Sequence, residues 1–175
     1  MKPMLAAMLV FCVISAASAE PVSVGDTGVT FEPPAGFKPV PKRIRDLKWP
    51  SNRAPRYVVG NEAATTTVAY DLKPHVIPQS GLREAQAQFT QLFGGVIPSL
   101  VWKKNEIVEH SGRKWVLMEM TSSAVDTDIY NIMLVTGYKN QMLLFNFNST
   151  KEDFPKYEKL LRASLYSITI PDAND

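Results

Sequence analysis

Cysteine is almost absent from this chain: the only one, Cys12, lies in the apolar stretch Met4–Ile14 near the start. Residues Met1–Ala19 read as an export signal, with a positive start, an apolar run and small residues before a predicted cleavage site preceding Glu20. Removing 19 of the 175 residues leaves 156 without a thiol, which excludes disulfides, thiolate metal sites and cysteine nucleophiles from the mature chain. A cysteine-free exported protein of this size is typical of the bacterial periplasm or of secretion.

Long hydrophobic runs are also missing after Glu20. A membrane-spanning helix needs roughly 20 apolar residues, and charges or amides interrupt every later stretch much sooner. The 13 prolines and 9 glycines are too few for a disordered or collagen-like chain. We therefore predict one folded domain over residues 20–175 that does not span the membrane.

Catalytic and metal-binding motifs are scarce. The mature chain has two histidines, His75 and His110, which the pattern places in a loop or at a strand end, and it lacks a Gly-x-Ser-x-Gly elbow, a His-Glu-x-x-His pair and a phosphate-binding glycine loop. Asp126 and Asp128 are interpreted as a solvated loop. The four methionines of the later strands are interpreted as core rather than a copper site. The sequence predicts neither an enzyme nor a bound metal or cofactor.

Hydrophobic patterns in the first half predict an edge strand within Val29–Val40, then a hairpin of Tyr57–Gly60 and Thr65–Leu72. A helix is predicted after Ser80 as its N-cap, ending near Gly94-Gly95. Its inward stripe is predicted as Leu82, Ala85, Phe89, Leu92, Phe93 and Val96.

Apolar and polar residues alternate with period two in the second half of the sequence. This alternation predicts one hairpin of Val101–Glu109 and Lys114–Ser122, and another of Ile129–Thr136 and Gln141–Asn148. In the first of these we expect Trp102 and Trp115 to pair across the strands. A second helix starts near Glu152-Asp153 with Pro155 in its first turn, and Tyr166–Ile170 is a candidate last strand. The order predicts an α+β fold, an antiparallel meander sheet flanked by two main helices.

Several of these segments resemble the PsbP-like family of α/β/α sandwiches. The resemblance rests on Phe31-x-x-Pro-x-Gly36-Phe37, the Tyr130 to Phe147 hairpin and the closing helix that runs from Phe154 to Leu165. It spans roughly residues 29–170 and consists of packing patterns rather than chemical signatures. The resemblance implies a non-catalytic binding protein, since the family includes photosystem accessory subunits, a small-GTPase-binding protein and accessory proteins of the bacterial envelope or of secretion.

A basic segment from Lys38 to Arg56 has no evident structural need. It carries seven basic residues and one acidic residue, a net charge of +6, whereas the rest of the mature chain carries 11 basic and 16 acidic residues. Its prolines predict an extended arm. The candidate partner-binding residues are Lys38, Lys42, Arg43, Arg45, Lys48, Trp49, Arg53 and Arg56.

Such an arm would attract an anionic surface through charge steering. Because export argues against nucleic acid, we expect an acidic protein or an anionic envelope component as the partner. The predicted function is an exported, non-catalytic binding or accessory module of the cell envelope, with an immunity-like or chaperone-like role within that class. The alternatives are a periplasmic carrier or sensor of a lipid or small apolar ligand, and a small hydrolase of unrecognised type.

Overall fold

A computed structural model describes residues 20–49, 54–124 and 126–171. The predicted export signal, Met1–Ala19, lies outside these residues. The strands are β1 Val22–Ser23, β2 Thr30–Phe31, β3 Lys38–Pro39, β4 Tyr57–Gly60, β5 Thr66–Lys73, β6 Val101–His110, β7 Arg113–Ser123, β8 Asp128–Tyr138 and β9 Gln141–Thr150. The helices are α1 Lys42–Lys48, α2 Leu82–Val96 and α3 Phe154–Tyr166.

Seven strands form the main sheet, in the order β3-β4-β5-β9-β8-β7-β6, and every neighbouring pair is antiparallel. Strands β6 to β9 follow one another as a meander, and β5 pairs with β9 to join the two halves of the chain. The predicted α+β class and both predicted hairpins of the second half are confirmed. Each hairpin has a two-residue turn, and such turns require positive φ to match the twist of the strands. The turn residues Ser111, Gly112, Lys139 and Asn140 all have positive φ.

One face of the sheet carries the main core beneath α3. Alternate residues of the central strands, among them Leu134, Phe145 and Phe147, point to this face and are fully buried. From α3, Leu161 and Leu165 pack on them. Phe154 and Ser164 of this helix are buried as well, whereas Leu160 is 39% exposed.

The opposite face is covered by two helices over different strands. Helix α2 packs on β6 and β7, where Val116, Met118 and Met120 are buried as core, and α1 packs on β4 and β5. The predicted boundaries of α2 were wrong in detail. Gln79–Gly81 form a separate 3-10 turn, so Ser80 is not the cap, and Gly94-Gly95 lie inside the helix.

Three local predictions fail for reasons of register and pairing. The segment Val29–Val40 is divided, with β2 pairing with β1 and only β3 forming the predicted edge of the main sheet. The predicted last strand makes a single bridge, between Thr30 and Thr169. Trp115 lies opposite Val108, and Trp102 lies opposite Met120, so the two tryptophans do not pair.

Candidate functional site

Within the basic segment, Lys42–Lys48 form helix α1, so the predicted extended arm was wrong for these residues. Pro41 precedes the first turn of α1, and its carbonyl accepts hydrogen bonds from the backbone N–H groups of Ile44 and Arg45. Proline is tolerated at this end of a helix, where its missing N–H is not needed. Between Pro41 and Pro50 the chain has room for two turns of residues with good helix propensity.

The inward side of α1 fixes the helix to the sheet. Ile44 and the following Trp49 pack with Val40 against Val58 and Ala69, in a small cluster separate from the two larger cores. Helix α1 itself has no fully buried side chain. The apolar contact area between α1 and the sheet is therefore small, and polar contacts also hold the helix on the sheet.

Two of the predicted partner-binding cations make these polar contacts. An Arg45 Nη1 donates to the backbone carbonyl of Arg56, and the Lys48 ammonium donates to that of Ala64. Lys48 Nζ also lies 5.7 Å from the centre of the Trp49 ring, and burial lowers the pKa of Lys48. Long cationic side chains can lie along a protein surface and pack with their stems. These residues therefore hold α1 in place.

Arg56 is tied to the sheet through a buried acid. Asp71 is 3% exposed; its carboxylate accepts from the backbone N–H of Arg56 at 3.2 Å, and the Arg56 Nε lies 3.9 Å away. Lys73 makes the closer ion pair with Asp71, at 2.6 Å. Sequence reasoning missed Asp71, because nothing in the pattern of β5 distinguishes it from an exposed acid.

Lys38, Lys42 and Arg43 lie on the exposed surface of the site. Lys38 and Arg43 are exposed, and neither has a carboxylate partner among the described residues. Lys42 pairs with Asp46 at 2.6 Å along the exposed side of α1, a contact of the kind that contributes little to stability. Arg53 lies outside the described residues. Among the described residues, Lys38, Lys42 and Arg43 are thus the outward cations of the site.

A surface concavity adjoins these cations. It has a volume of about 380 Å³ and lies between β3, the start of α1 and the turn from β4 to β5, with Pro39, Val40 and Ile44 among its lining residues. A second concavity, of about 550 Å³, lies between Gln79 and the β6–β7 hairpin. Its walls include His110, whose Nε2 atom is buried without a hydrogen-bond partner.

The histidines occupy the predicted places. His110 ends β6 and packs beside Trp115 and Tyr166, with ring centres 6.5 and 6.1 Å away, and His75 is exposed in the connection after β5. Ser111, in the hairpin turn next to His110, uses its Oγ to accept a hydrogen bond from the backbone of Ile170. This arrangement does not resemble a nucleophile activated by a base, which requires a direct hydrogen bond between the two.

Known structures share this arrangement of sheet and helices. No protein-family model matches the sequence, and no curated protein is significantly similar to it. The solved PsbP (CyanoP) of the cyanobacterium Synechocystis sp. PCC 6803 is similar in structure, with a TM-score of 0.63 and 12% sequence identity over 91% of this chain and 96% of that chain. The chain has the PsbP-like fold.

Two further structures with the PsbP-like fold come from bacteria. PA94 of Pseudomonas aeruginosa, a protein of unknown function, has a TM-score of 0.54 and 11% identity over 89% of this chain and 99% of that one. LpqN of Mycobacterium tuberculosis, a protein involved in cell envelope biogenesis, has a TM-score of 0.54 and 15% identity over 86% and 90%. At these identities the likeness establishes the fold alone.

A charged network on the α3 side of this PsbP-like fold was not predicted. Glu119 of β7 is 1% exposed, and its two oxygens each accept a hydrogen bond of 3.0 Å from Arg162 of α3. Tyr130 donates to the same carboxylate at 2.9 Å, and Lys104 lies 3.4 Å from it. An acid at an inward position of an alternating strand was the available signal, since such a residue needs a buried partner.

The network shifts the pKa values of its members. Burial alone would raise the pKa of Glu119, but hydrogen bonds from Arg162 and Tyr130 and the charges of Arg162 and Lys104 outweigh it and lower that pKa. Burial, together with the hydrogen bond to Glu119, raises the pKa of Tyr130 to about 12. With its charges paired, the network has the features of a structural contact between sheet and helix.

Metal-ligand clusters and membrane-spanning helices are both absent from the part of the chain that the structure describes. Within residues 20–49, 54–124 and 126–171, no three His, Cys, Asp or Glu side chains lie close enough together to hold a metal ion. Of the helices in these ranges, none is long and apolar enough to cross a bilayer.

Proposed function

We propose that this protein is an exported, non-catalytic accessory module of the cell envelope that binds an anionic partner through α1. The observation that supports this most directly is the division of the basic residues. Arg45 and Lys48 fix the helix through the backbone carbonyls of Arg56 and Ala64, which leaves Lys42 and Arg43 facing outward. A preorganised cationic surface loses little conformational entropy when it binds, and its charge raises the association rate with an acidic partner.

The compartment is part of the proposal. The predicted export signal and the thiol-free mature sequence support a periplasmic or secreted protein. LpqN, which shares the fold, is involved in cell envelope biogenesis, which fits an envelope role for this chain without specifying its partner. The accessory role implied by the family resemblance points in the same direction.

The alternative of a carrier for an apolar ligand between helix and sheet has less support. The space beneath α3 is filled by stacked and edge-on rings, such as Phe31 against Tyr70 at 4.8 Å and against Phe145 at 5.3 Å. An apolar ligand would have to displace these rings. We therefore place the binding function on the outer surface of the molecule.

The test is capture of envelope components by the immobilised protein at low and high salt. The double variant Lys42→Glu/Arg43→Glu should lose the salt-sensitive captured material while remaining folded, because acids in the first turn of a helix are favourable. The matched control, Lys156→Glu/Lys159→Glu on α3, changes the net charge equally and should keep it. Equal capture by both double variants would remove α1 from the binding function.

A further inference from the structure

Leu47 is the most exposed large hydrophobic side chain among the described residues, with 73% of its surface accessible. It lies on the outward side of α1, four residues after Arg43. Residues at this spacing are neighbours on a helix surface. The outward side of α1 therefore presents an aliphatic side chain directly beside the exposed Arg43, with Lys42 and its ion-pair partner Asp46 on the same exposed side.

The orientation of Leu47 is fixed by the opposite side of the helix. Ile44 packs on the sheet, and the anchoring hydrogen bonds of Arg45 and Lys48 prevent α1 from turning over. Leu47 thus has no route into the core of the protein. Its exposure is a property of the folded surface rather than of an unfinished packing arrangement.

Helix α2 covers another part of the same sheet face and also presents apolar side chains. Leu92 and Val96, four residues apart on its last turns, are 54% and 65% exposed, although the sequence pattern had placed both in the inward stripe. The side of the sheet that bears α1 and α2 therefore combines outward cations with protruding aliphatic residues.

We infer that the outward face of α1 contacts a bilayer surface rich in anionic lipid headgroups, with Leu47 inserted at the boundary between headgroups and acyl chains. This inference rests on the proposed function, because it names the anionic partner of the same helix. Helices that lie in a membrane interface combine Lys and Arg, which attract anionic lipids, with apolar residues that enter the boundary between headgroups and acyl chains. An acidic protein partner is less well matched, because protein interfaces bury a contiguous apolar centre within a polar rim, whereas Leu47 protrudes singly among charges.

The experiment is co-sedimentation of the protein with vesicles. One set contains phosphatidylglycerol and phosphatidylcholine in equal amounts, and the other contains phosphatidylcholine alone. We expect binding to the first set only, weakened by salt. Each basic residue near an anionic surface changes the partition by about fivefold. Lys42→Glu/Arg43→Glu should therefore reduce binding by at least roughly 25-fold.

Substitutions at α1 separate insertion from charge attraction. Leu47→Asp should reduce binding by at least roughly tenfold, because it removes the inserted group and adds an acid. Leu160→Asp on α3, on the other face of the sheet, adds the same charge and should bind at least roughly tenfold more tightly than Leu47→Asp. Asp46→Asn should strengthen binding, up to about fivefold, because it removes the acid of α1.

The outcomes distinguish this inference from the proposed function. Equal binding by Leu47→Asp and Leu160→Asp would overturn insertion while leaving an anionic partner in place. Absence of vesicle binding, combined with capture of an acidic protein that depends on Lys42 and Arg43, would overturn the lipid inference alone. If charge reversal at Lys42 and Arg43 affected neither vesicles nor captured material, both would be wrong.

Discussion

Gly137 supports a close backbone contact that an alanine would break. It lies near the end of β8, and a Cβ atom built there would be 1.6 Å from the carbonyl oxygen of Ile77 and 2.8 Å from its carbonyl carbon. Because both are main-chain atoms, no side-chain rotation relieves the overlap. The connection between β5 and the 3-10 turn would have to move, and with it Gln79, whose side chain donates to Thr136 at 2.8 Å.

Overpacking of a folded interior costs about 1–3 kcal/mol, and a clash with main chain belongs at the upper end. We expect Gly137→Ala to lower the free energy of unfolding by about 3 kcal/mol. For a domain of this size each kcal/mol shifts the Tm by about 2–4 °C, so the Tm should fall by roughly 6–12 °C. Circular dichroism during heating, repeated in urea, measures both quantities.

The matched control is Gly94→Ala. Gly94 lies inside α2, and a Cβ atom there meets no other atom within 4 Å. Alanine is favoured over glycine in a helix by up to about 1 kcal/mol, so this substitution should raise the Tm. A Gly137→Ala protein with the Tm of the wild type would refute the close contact at Ile77.

Two further predictions concern charged residues. Glu119→Gln should lower the free energy of unfolding by about 2 kcal/mol at pH 7, less than for a fully buried pair because 29% of the Arg162 side chain is exposed. The folded state lowers the pKa of Glu119, so its contribution is complete above the ordinary glutamate pKa of about 4.3 and is lost as the pH falls through the lower folded value. The unfolding free energies of wild type and variant, measured by urea titration, should therefore begin to converge only below that ordinary pKa. Arg45→Ala should lower the free energy of unfolding by about 1 kcal/mol, because it removes the hydrogen bond to the carbonyl of Arg56. Arg43→Ala is the control and should change that free energy by no more than about 0.5 kcal/mol. Equal shifts in Tm for the two variants would contradict the role of Arg45 as an anchor.

The strands of the second half could be predicted because their signals are local. Each hairpin combines period-two alternation with a turn of two residues, and the turn fixes which residues lie opposite each other. The same rule explains the error at the tryptophans. With the turn at Ser111-Gly112, Trp115 must lie near Val108, which leaves Trp102 six residues farther along its strand. The alternation of the strands was predicted correctly, but the residue pairing that the turn imposes was not applied to the tryptophans.

The ends of α2 depended on contacts that the sequence does not display. Leu92 and Val96 fit the helical period as well as Phe89 and Phe93 do, yet only the phenylalanines reach the core, where their rings lie 5.8 Å apart. Ile97 and Leu100, which follow the helix, pack against the same cluster instead. Periodicity identifies the inward face of a helix, but the tertiary contacts decide how much of that face is buried.

Helix α1 was not predicted, because the prolines of the segment indicate an extended chain although the residues between them have good helix propensity. The helical period places the residues of this segment on two sides of α1. The side toward the sheet carries Ile44, Arg45 and Lys48. The outer side carries Lys42, Arg43 and Leu47. The net charge of +6 in the segment therefore overstates what a partner would meet. Arg45 and Lys48 already donate to main-chain carbonyls. An anionic partner would contact mainly the outward cations, so Arg45 and Lys48 should contribute little to the salt dependence of binding.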